Sequence, residues 1–244
     1  MFCSDAENSF TFCLDANCLP VEHQLKPLFG HDDLGTIGSH ELDDNRSIDS
    51  SGMNAKGLAL ADTQVAVATH RVGWVRYFLM TRLLATCSTV AEACAFIKST
   101  THAGGGTLVL ADVSGNTAVV ELGASGPVIR TGPVVWRTNH YETPELAGDS
   151  LYPDGDRIAA YSRARFACLE HNLANQGWRA EDAARLMATH ATDPRPFAGP
   201  LCQHQETDAC QTFSSAVYSC RVSSLMFSDG NPCAGKWRTF QVLT

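Results

Sequence analysis

Between residues 74 and 84 the apolar positions Val75, Phe78, Leu79, Leu83 and Leu84 recur at helical spacing and predict one buried helix face. A second helix is predicted over 89–99, where Ala93, Ala95, Phe96 and Ile97 cluster. Ser88 or Thr89 with Glu92 forms a capping box at its start. After Gly104-Gly105-Gly106 the period changes. Two apolar runs of strand length, 107–111 and 117–122, flank a Ser114-Gly115-Asn116 turn and predict a β-hairpin. Further strands are predicted at 128–130 and 134–138. Helical spacing returns over 158–175, through Ile158, Tyr161, Phe166, Leu169 and Leu173, and over 180–189. Glu181 and Asp182 stand in the first turn of the latter, where the helix dipole favours acids. Strands close the chain at 213–219, 222–227 and 237–243, with Asp229-Gly230-Asn231-Pro232 as a turn.

Upstream, Gly52-Met53-Asn54-Ala55-Lys56-Gly57-Leu58 reads as a tight turn entering an apolar strand. Residues 1–51 hold neither a period of 2 nor one of 3.6. They are set apart as a divergent or poorly ordered N-terminal segment, with 30–51 read as loop, before a domain at 52–244. Helices occur in pairs between clusters of strands, not singly between strands. That order disfavours a parallel doubly wound sheet and favours α+β architecture, antiparallel sheets covered by helix pairs.

Charge and composition narrow the function. The chain has 244 residues, with 18 basic against 26 acidic side chains, a net charge of −8. An acidic balance disfavours nucleic-acid partners and anionic membrane surfaces. The hydrophobic share of 44% with 18% charged residues is that of a globular protein. No apolar run approaches the roughly 20 residues of a membrane span. The first fifteen residues have no basic start and no apolar centre, so no secretory signal is expected. A cytoplasmic protein with reduced thiols follows as the expectation. The 10 cysteines contain no C-x-x-C pair, and Asp32, Asp33, Glu41, Asp43, Asp44 and Asp49 fit no calcium loop. No metal and no cofactor is therefore expected. The glycine triplet precedes no G-K-[ST], and no G-x-S-x-G elbow occurs.

Candidate chemistry gathers after a strand. In Thr138-Asn139-His140-Tyr141, the Asn139 amide is a neutral oxyanion donor or closes a turn, and His140 is a general base or a satisfied structural histidine. Ser162 and Arg165 share a helix face, as site residues or as tethers. Cys202, two residues from His204, is a reactive thiol or a small buried hydrophobe.

Six segments in order, spanning 52–244, resemble one family. They are Gly52-Met53-Asn54-Ala55-Lys56-Gly57-Leu58; Asp112-Val113-Ser114-Gly115-Asn116 with Val119-Val120-Glu121; Thr138-Asn139-His140-Tyr141; Ser162-Arg163-Ala164-Arg165 with Leu169; the Gly199 to His204 stretch; and Asp229-Gly230-Asn231-Pro232-Cys233 with the Trp237 to Phe240 ending. The group is the acyl-coenzyme A:isopenicillin-N acyltransferase-like family of N-terminal nucleophile hydrolases.

The resemblance implies an αββα four-layer sandwich of two antiparallel sheets between helix layers. It implies a cysteine, exposed at the N-terminus by self-cleavage, that attacks an amide carbonyl with its own α-amine as base. Cys3, followed by Ser4, matches the family's nucleophile best, because Cys13 and Cys18 are followed by leucine. The oxyanion role maps onto Asn139, and His140, Tyr141 and Gln203 line the substrate side. Gln203 stands where the family carries arginine. The function implied is a hydrolase or acyltransferase for a linear N-acyl amide or small peptide. The alternative is a catalytically inactive or truncated relative that binds small acylated molecules. A metallo-amidase using His140 and the acidic N-terminal stretch is a third reading. The expected partner is a small amide, and a homo-oligomer stays open.

Overall fold

Every side chain of β7 (Thr107–Ala111) and β8 (Thr117–Gly123) is buried. A strand without a polar face needs cover on both sides. In a computed structural model describing residues 2–4, 9–16, 27–30, 36–43, 46–152, 156–174, 178–194, 199–204 and 211–242, that cover is helices on one side and a second sheet on the other. Leu108, Leu110, Ala118, Val120 and Leu122 pack with Leu58 and Leu60 against α1 (Arg76–Thr86) and α2 (Val90–Ser99). The alternate positions Val109, Ala111 and Val119 meet Ala216, Tyr218, Cys220, Leu225 and Phe227 of the other sheet. The period of two along each strand thus separates helix-facing leucines from smaller sheet-facing side chains.

The first sheet has seven strands in chain order: β3 (Pro27–Gly30), β4 (Thr36–Asp43), β5 (Arg46–Asn54), β6 (Ala59–Thr63), β7, β8 and β9 (Gly126–Thr131). The second is ordered β10 (Val134–Trp136), β1 (Phe2–Ser4), β2 (Ser9–Ala16), β11 (Gln211–Ser219), β12 (Ser224–Ser228) and β13 (Trp237–Gln241). All neighbouring strands in both sheets are antiparallel. Beyond the second sheet, Cys168 and Leu169 of α4 (Arg157–Asn172), Leu173 just after it, and Leu186 and Met187 of α5 (Ala180–Met187) pack with Val217, Val134, Trp136 and Trp237. The layers run helix, sheet, sheet, helix, which is the αββα architecture that the resemblance implies. A single helical turn, α3 (Pro144–Ala147), follows the Asn139 segment.

Helices and strands after residue 58 fall within two or three residues of their expected ends. The expected cap forms with one shift: Thr89 Oγ1 accepts from Glu92 N at 3.2 Å, while Glu92 Oε2 reaches past the N-cap residue and accepts from Ser88 N at 2.7 Å. Expected strand 222–227 starts later, because a 3-10 turn at Cys220–Val222 and left-handed Ser223 (φ 49°) precede β12.

Residues 30–51 differ from the loop reading, since β4 and most of β5 lie there. The ladder between them shifts register between Ser39 and His40. The extra residue is Ser50 of β5, and a one-residue slip exchanges the two faces of a strand, so no single period of two runs along β5. Of the acidic positions, Asp32, Asp33 and Asp44 lie outside the described residues.

The turn at 54–58 ties the first sheet to α1. Buried Asn54 donates to Leu84 O and Cys87 O, each at 2.8 Å, and its Oδ1 accepts from Lys56 N and Leu58 N at 3.1 Å. Gly57 has φ +83°, and a Cβ there would come within 2.9 Å of Val113 Cβ. The hairpin carboxylate of Asp112, fully buried, accepts from Ser114 N and Asn116 N and also from Val90 N at the start of α2. The first two family-like motifs are therefore joints between the sheet and its helices.

Candidate active site

The chain leaves β10 at Trp136 and bends at Asn139 and His140. An irregular segment keeps one shape only when its polar groups are held by rigid neighbours. Glu121, on β8 and fully buried, holds it from below. Its Oε1 accepts from Arg137 Nε at 2.8 Å and Glu142 N at 3.0 Å. Its Oε2 accepts from Thr143 N at 3.1 Å and Thr143 Oγ1 at 2.6 Å. One carboxylate thereby fixes both flanks of Asn139. Thr63, at the end of β6, adds a hydrogen bond from Oγ1 to Thr138 O at 2.8 Å.

Asn139 is partly exposed, and its carboxamide is oriented by chemistry at both ends. Arg165 on α4 donates from Nη2 to Asn139 Oδ1 at 2.6 Å, and Asn139 Nδ2 donates to Gln64 O at 3.0 Å. Guanidinium groups only donate and carbonyls only accept, so the oxygen and nitrogen of this amide have a single assignment. The bond to Gln64 uses one N–H; the amide carries a second. Tyr152 donates its hydroxyl to Asn139 O. The buried guanidinium of Arg165 reaches with Nη1 to Gln203 Oε1 at 3.2 Å. Gln203 is fully buried, and its Nε2 has no hydrogen-bond partner among the described residues.

His140 lies beside this chain of contacts. Its Nδ1 is 2.7 Å from Ser162 Oγ and 3.2 Å from Thr138 Oγ1, and its Nε2 is 2.5 Å from Glu142 Oε1. A carboxylate accepts, so Nε2 carries the proton and Nδ1 accepts from a hydroxyl. Burial pushes the His140 pKa below the usual histidine range, against the pull of Glu142; Arg163 and Arg137 push it further down. His102, also buried, is lowered by desolvation with a smaller push from Arg71, while its contact with Ile97 O opposes. In the unfolded chain both histidines protonate near pH ~6.5, in the fold only at lower pH. Between those values the unfolded chain binds more protons, so stability rises with pH and is lost as pH falls below ~6.5. Melting temperature measured from pH 7.5 to 5 should fall, and His140→Gln should flatten the fall. An unchanged slope in that variant would contradict the assignment.

Tyr141 is buried and donates its hydroxyl to Leu122 O at 2.7 Å; burial raises its phenol above the usual range. A cleft of about 330 Å³ opens beside the segment, lined by His140, Tyr141, Glu142, Tyr152, Arg163 and Phe166 among others. That is near the lower end of small-ligand pockets. Gln203 is not among the residues lining it; among the described residues it is linked to Asn139 through Arg165.

Cys3 is located by its backbone. It lies on β1 opposite Val135 of β10, with Phe2 opposite Trp136, so three residues lie between its partner and Asn139. Cys13 lies on β2, and Cys18 lies outside the described residues. Tyr152 and the Gln64 carbonyl were not singled out from the sequence. Neither carries a motif, because Gln64 contributes only its backbone and Tyr152 reaches Asn139 across a loop.

A family described as acyl-coenzyme A:6-aminopenicillanic acid acyl-transferase matches residues 46–233. A comparison with curated proteins returns no match. Among solved structures, a mutant conjugated bile acid hydrolase from Clostridium perfringens superposes with TM-score 0.56 at 12% identity, covering 98% of this chain and 94% of that one. An N-acylethanolamine-hydrolyzing acid amidase ortholog from Caenorhabditis elegans gives TM-score 0.57 at 11% identity, covering 100% and 98%. Penicillin V acylase from Agrobacterium tumefaciens gives 0.54 at 17% identity, covering 91% and 78%. At such identities the likeness is one of fold.

Proposed function

The chain belongs to the acyl-coenzyme A:6-aminopenicillanic acid acyltransferase family and has the N-terminal nucleophile hydrolase fold; from that premise we propose that it cleaves or transfers the acyl group of a linear N-acyl amide or small peptide, with Cys3 as nucleophile and Asn139 as oxyanion donor. The observation that carries the reading is the Asn139 carboxamide, oriented at both ends by Arg165 and Gln64. A preoriented neutral donor stabilises a developing oxyanion without having to reorganise. Removal of Met1-Phe2 would free the α-amine of Cys3, whose ordinary pKa near ~8 leaves part of it neutral at working pH. That amine takes the thiol proton, the thiolate adds to the carbonyl carbon, and the same proton goes to the departing amine. Water or an amine then takes the acyl group from sulphur. His140 acts here as a support, with both nitrogens engaged by neighbours.

The test is mass spectrometry of the protein incubated with a panel of N-acyl amides: an N-acyl amino acid, penicillin V, an N-acylethanolamine and a conjugated bile acid. The expected result is a chain beginning at Cys3, cleavage of at least one amide, and the matching acyl mass on the Cys3 peptide. An unprocessed chain that cleaves none and whose Cys3 peptide resists iodoacetamide would end the reading. The second reading, a binding protein without turnover, is favoured by Gln203 in place of an arginine and by the pairing of Cys3 with Val135. It expects one of these amides to raise the melting temperature while no product forms.

A further inference from the structure

Three segments distant in sequence meet at the Gln203 end of the site. His190 follows α5, Cys202 and His204 flank Gln203, and Cys233 lies in the 3-10 turn Pro232–Ala234 between β12 and β13. Each offers one ligand atom, and the four atoms lie within 4.8 Å of one another. His204 Nε2 is 3.1 Å from Cys233 Sγ, and the His190 and His204 rings meet edge to face with centroids 4.9 Å apart. His190 Nδ1 is buried and has no hydrogen-bond partner among the described residues. A buried ring nitrogen without a partner is unusual enough to need an explanation.

We propose that His190, Cys202, His204 and Cys233 form a Cys2His2 site for a zinc ion. Two thiolates and two neutral imidazoles are a ligand set that suits tetrahedral Zn²⁺. Zinc bonds of about 2.3 Å to sulphur and 2.0–2.1 Å to nitrogen put tetrahedral ligands about 3.3–3.8 Å apart. The present spread therefore needs side-chain shifts on the order of 1 Å. Cys202 is buried while His204 and Cys233 are exposed, so the ion has a path from solvent. Binding releases the two thiol protons to solvent. With all four positions filled by protein, the site is structural. Its effect on chemistry is indirect: it clamps both sequence neighbours of Gln203, whose side chain meets Arg165, which in turn holds Asn139. The absence of C-x-x-C spacing hides this set in the sequence, because its members come from 190, 202–204 and 233. The inference does not depend on the amide chemistry.

The test uses the full chain stripped with chelator and titrated with Co²⁺, whose colour reports coordination. One equivalent should bind, giving thiolate-to-cobalt charge transfer and tetrahedral d–d bands that Zn²⁺ abolishes by displacement. Cys233→Ser and His204→Ala alter exposed side chains and so spare the core; each should weaken binding by at least ~10²-fold, since losing even an outer-shell partner of a ligand costs roughly 10–100-fold. A variant with serine at positions 3, 13 and 18 should bind as before. Absence of saturable 1:1 binding, binding that survives Cys233→Ser, or a Cys202–Cys233 disulfide in freshly purified protein would each overturn the proposal.

Discussion

Asn139→Asp is expected to lower kcat for the amide substrate by at least about 10²–10³-fold, the scale for losing one oxyanion donor, while KM changes little. The substitution keeps the shape and keeps an oxygen for Arg165 Nη2, now as an ion pair. It removes the N–H groups of Nδ2 and sets a negative charge where the tetrahedral oxyanion would form. An interaction made only in the transition state shows in kcat and kcat/KM together. Asn139→Ala is a less clean variant, because it also takes an acceptor from the buried guanidinium of Arg165; the donor to Gln64 O is lost in both variants. Both variants should melt below the wild type, the aspartate variant because a carboxylate oxygen then faces Gln64 O, and the alanine variant lower still because Arg165 loses this acceptor. Steady-state kinetics with parallel thermal melts separate the two effects. An aspartate variant retaining more than a tenth of wild-type kcat would remove Asn139 from the chemistry.

The largest stability effect is expected at Glu121. Glu121→Ala breaks a buried pair with Arg137 and leaves the Glu142 and Thr143 amides without their acceptor. Losing one member of a buried pair costs roughly 3–5 kcal/mol. At about 2–4 °C per kcal/mol for a chain of this length, the melting temperature should drop by roughly 6–20 °C. Glu121→Gln should fall between, since it keeps acceptor oxygen but loses the charge. Because Glu121 pins both flanks of Asn139, kcat should fall with stability in the alanine variant even at temperatures where it remains folded. Denaturant titration of the three proteins decides the matter, and a loss below ~1 kcal/mol in Glu121→Ala would mean that the flanks are held by other contacts.

These two residues show how far the sequence reaches. Helical and strand periods after residue 58 are local, and they foretold α1, α2, α4, α5 and the β7–β8 hairpin closely, because each element's exposed and buried faces are written in its own spacing. Pairing of helices between strand clusters foretold the layered class. Strand β5 stayed hidden because the bulge at Ser50 breaks the alternation that would have marked it. The Thr138-Asn139-His140-Tyr141 motif marked where the candidate site lies, and Ser162 with Arg165 marked one helix face near it. The sequence did not tell which partner each takes. Ser162 goes to His140 and Arg165 to Asn139 because α4 lies across β10, an arrangement no spacing along the chain encodes.

The amino-acid order by itself therefore determined the elements after residue 58, the α+β class of antiparallel sheets covered by helix pairs, and the segment carrying the candidate oxyanion donor, since these follow from periodicity and local motifs, whereas the four-layer order came with the family resemblance. Tertiary structure alone decided which way the Asn139 amide faces, what holds its flanks, and that His190, Cys202, His204 and Cys233 converge. The physical reason is range: hydrophobic period acts over a few residues, whereas a hydrogen bond or a ligand set requires atoms brought within a few ångströms by the packing of the whole chain.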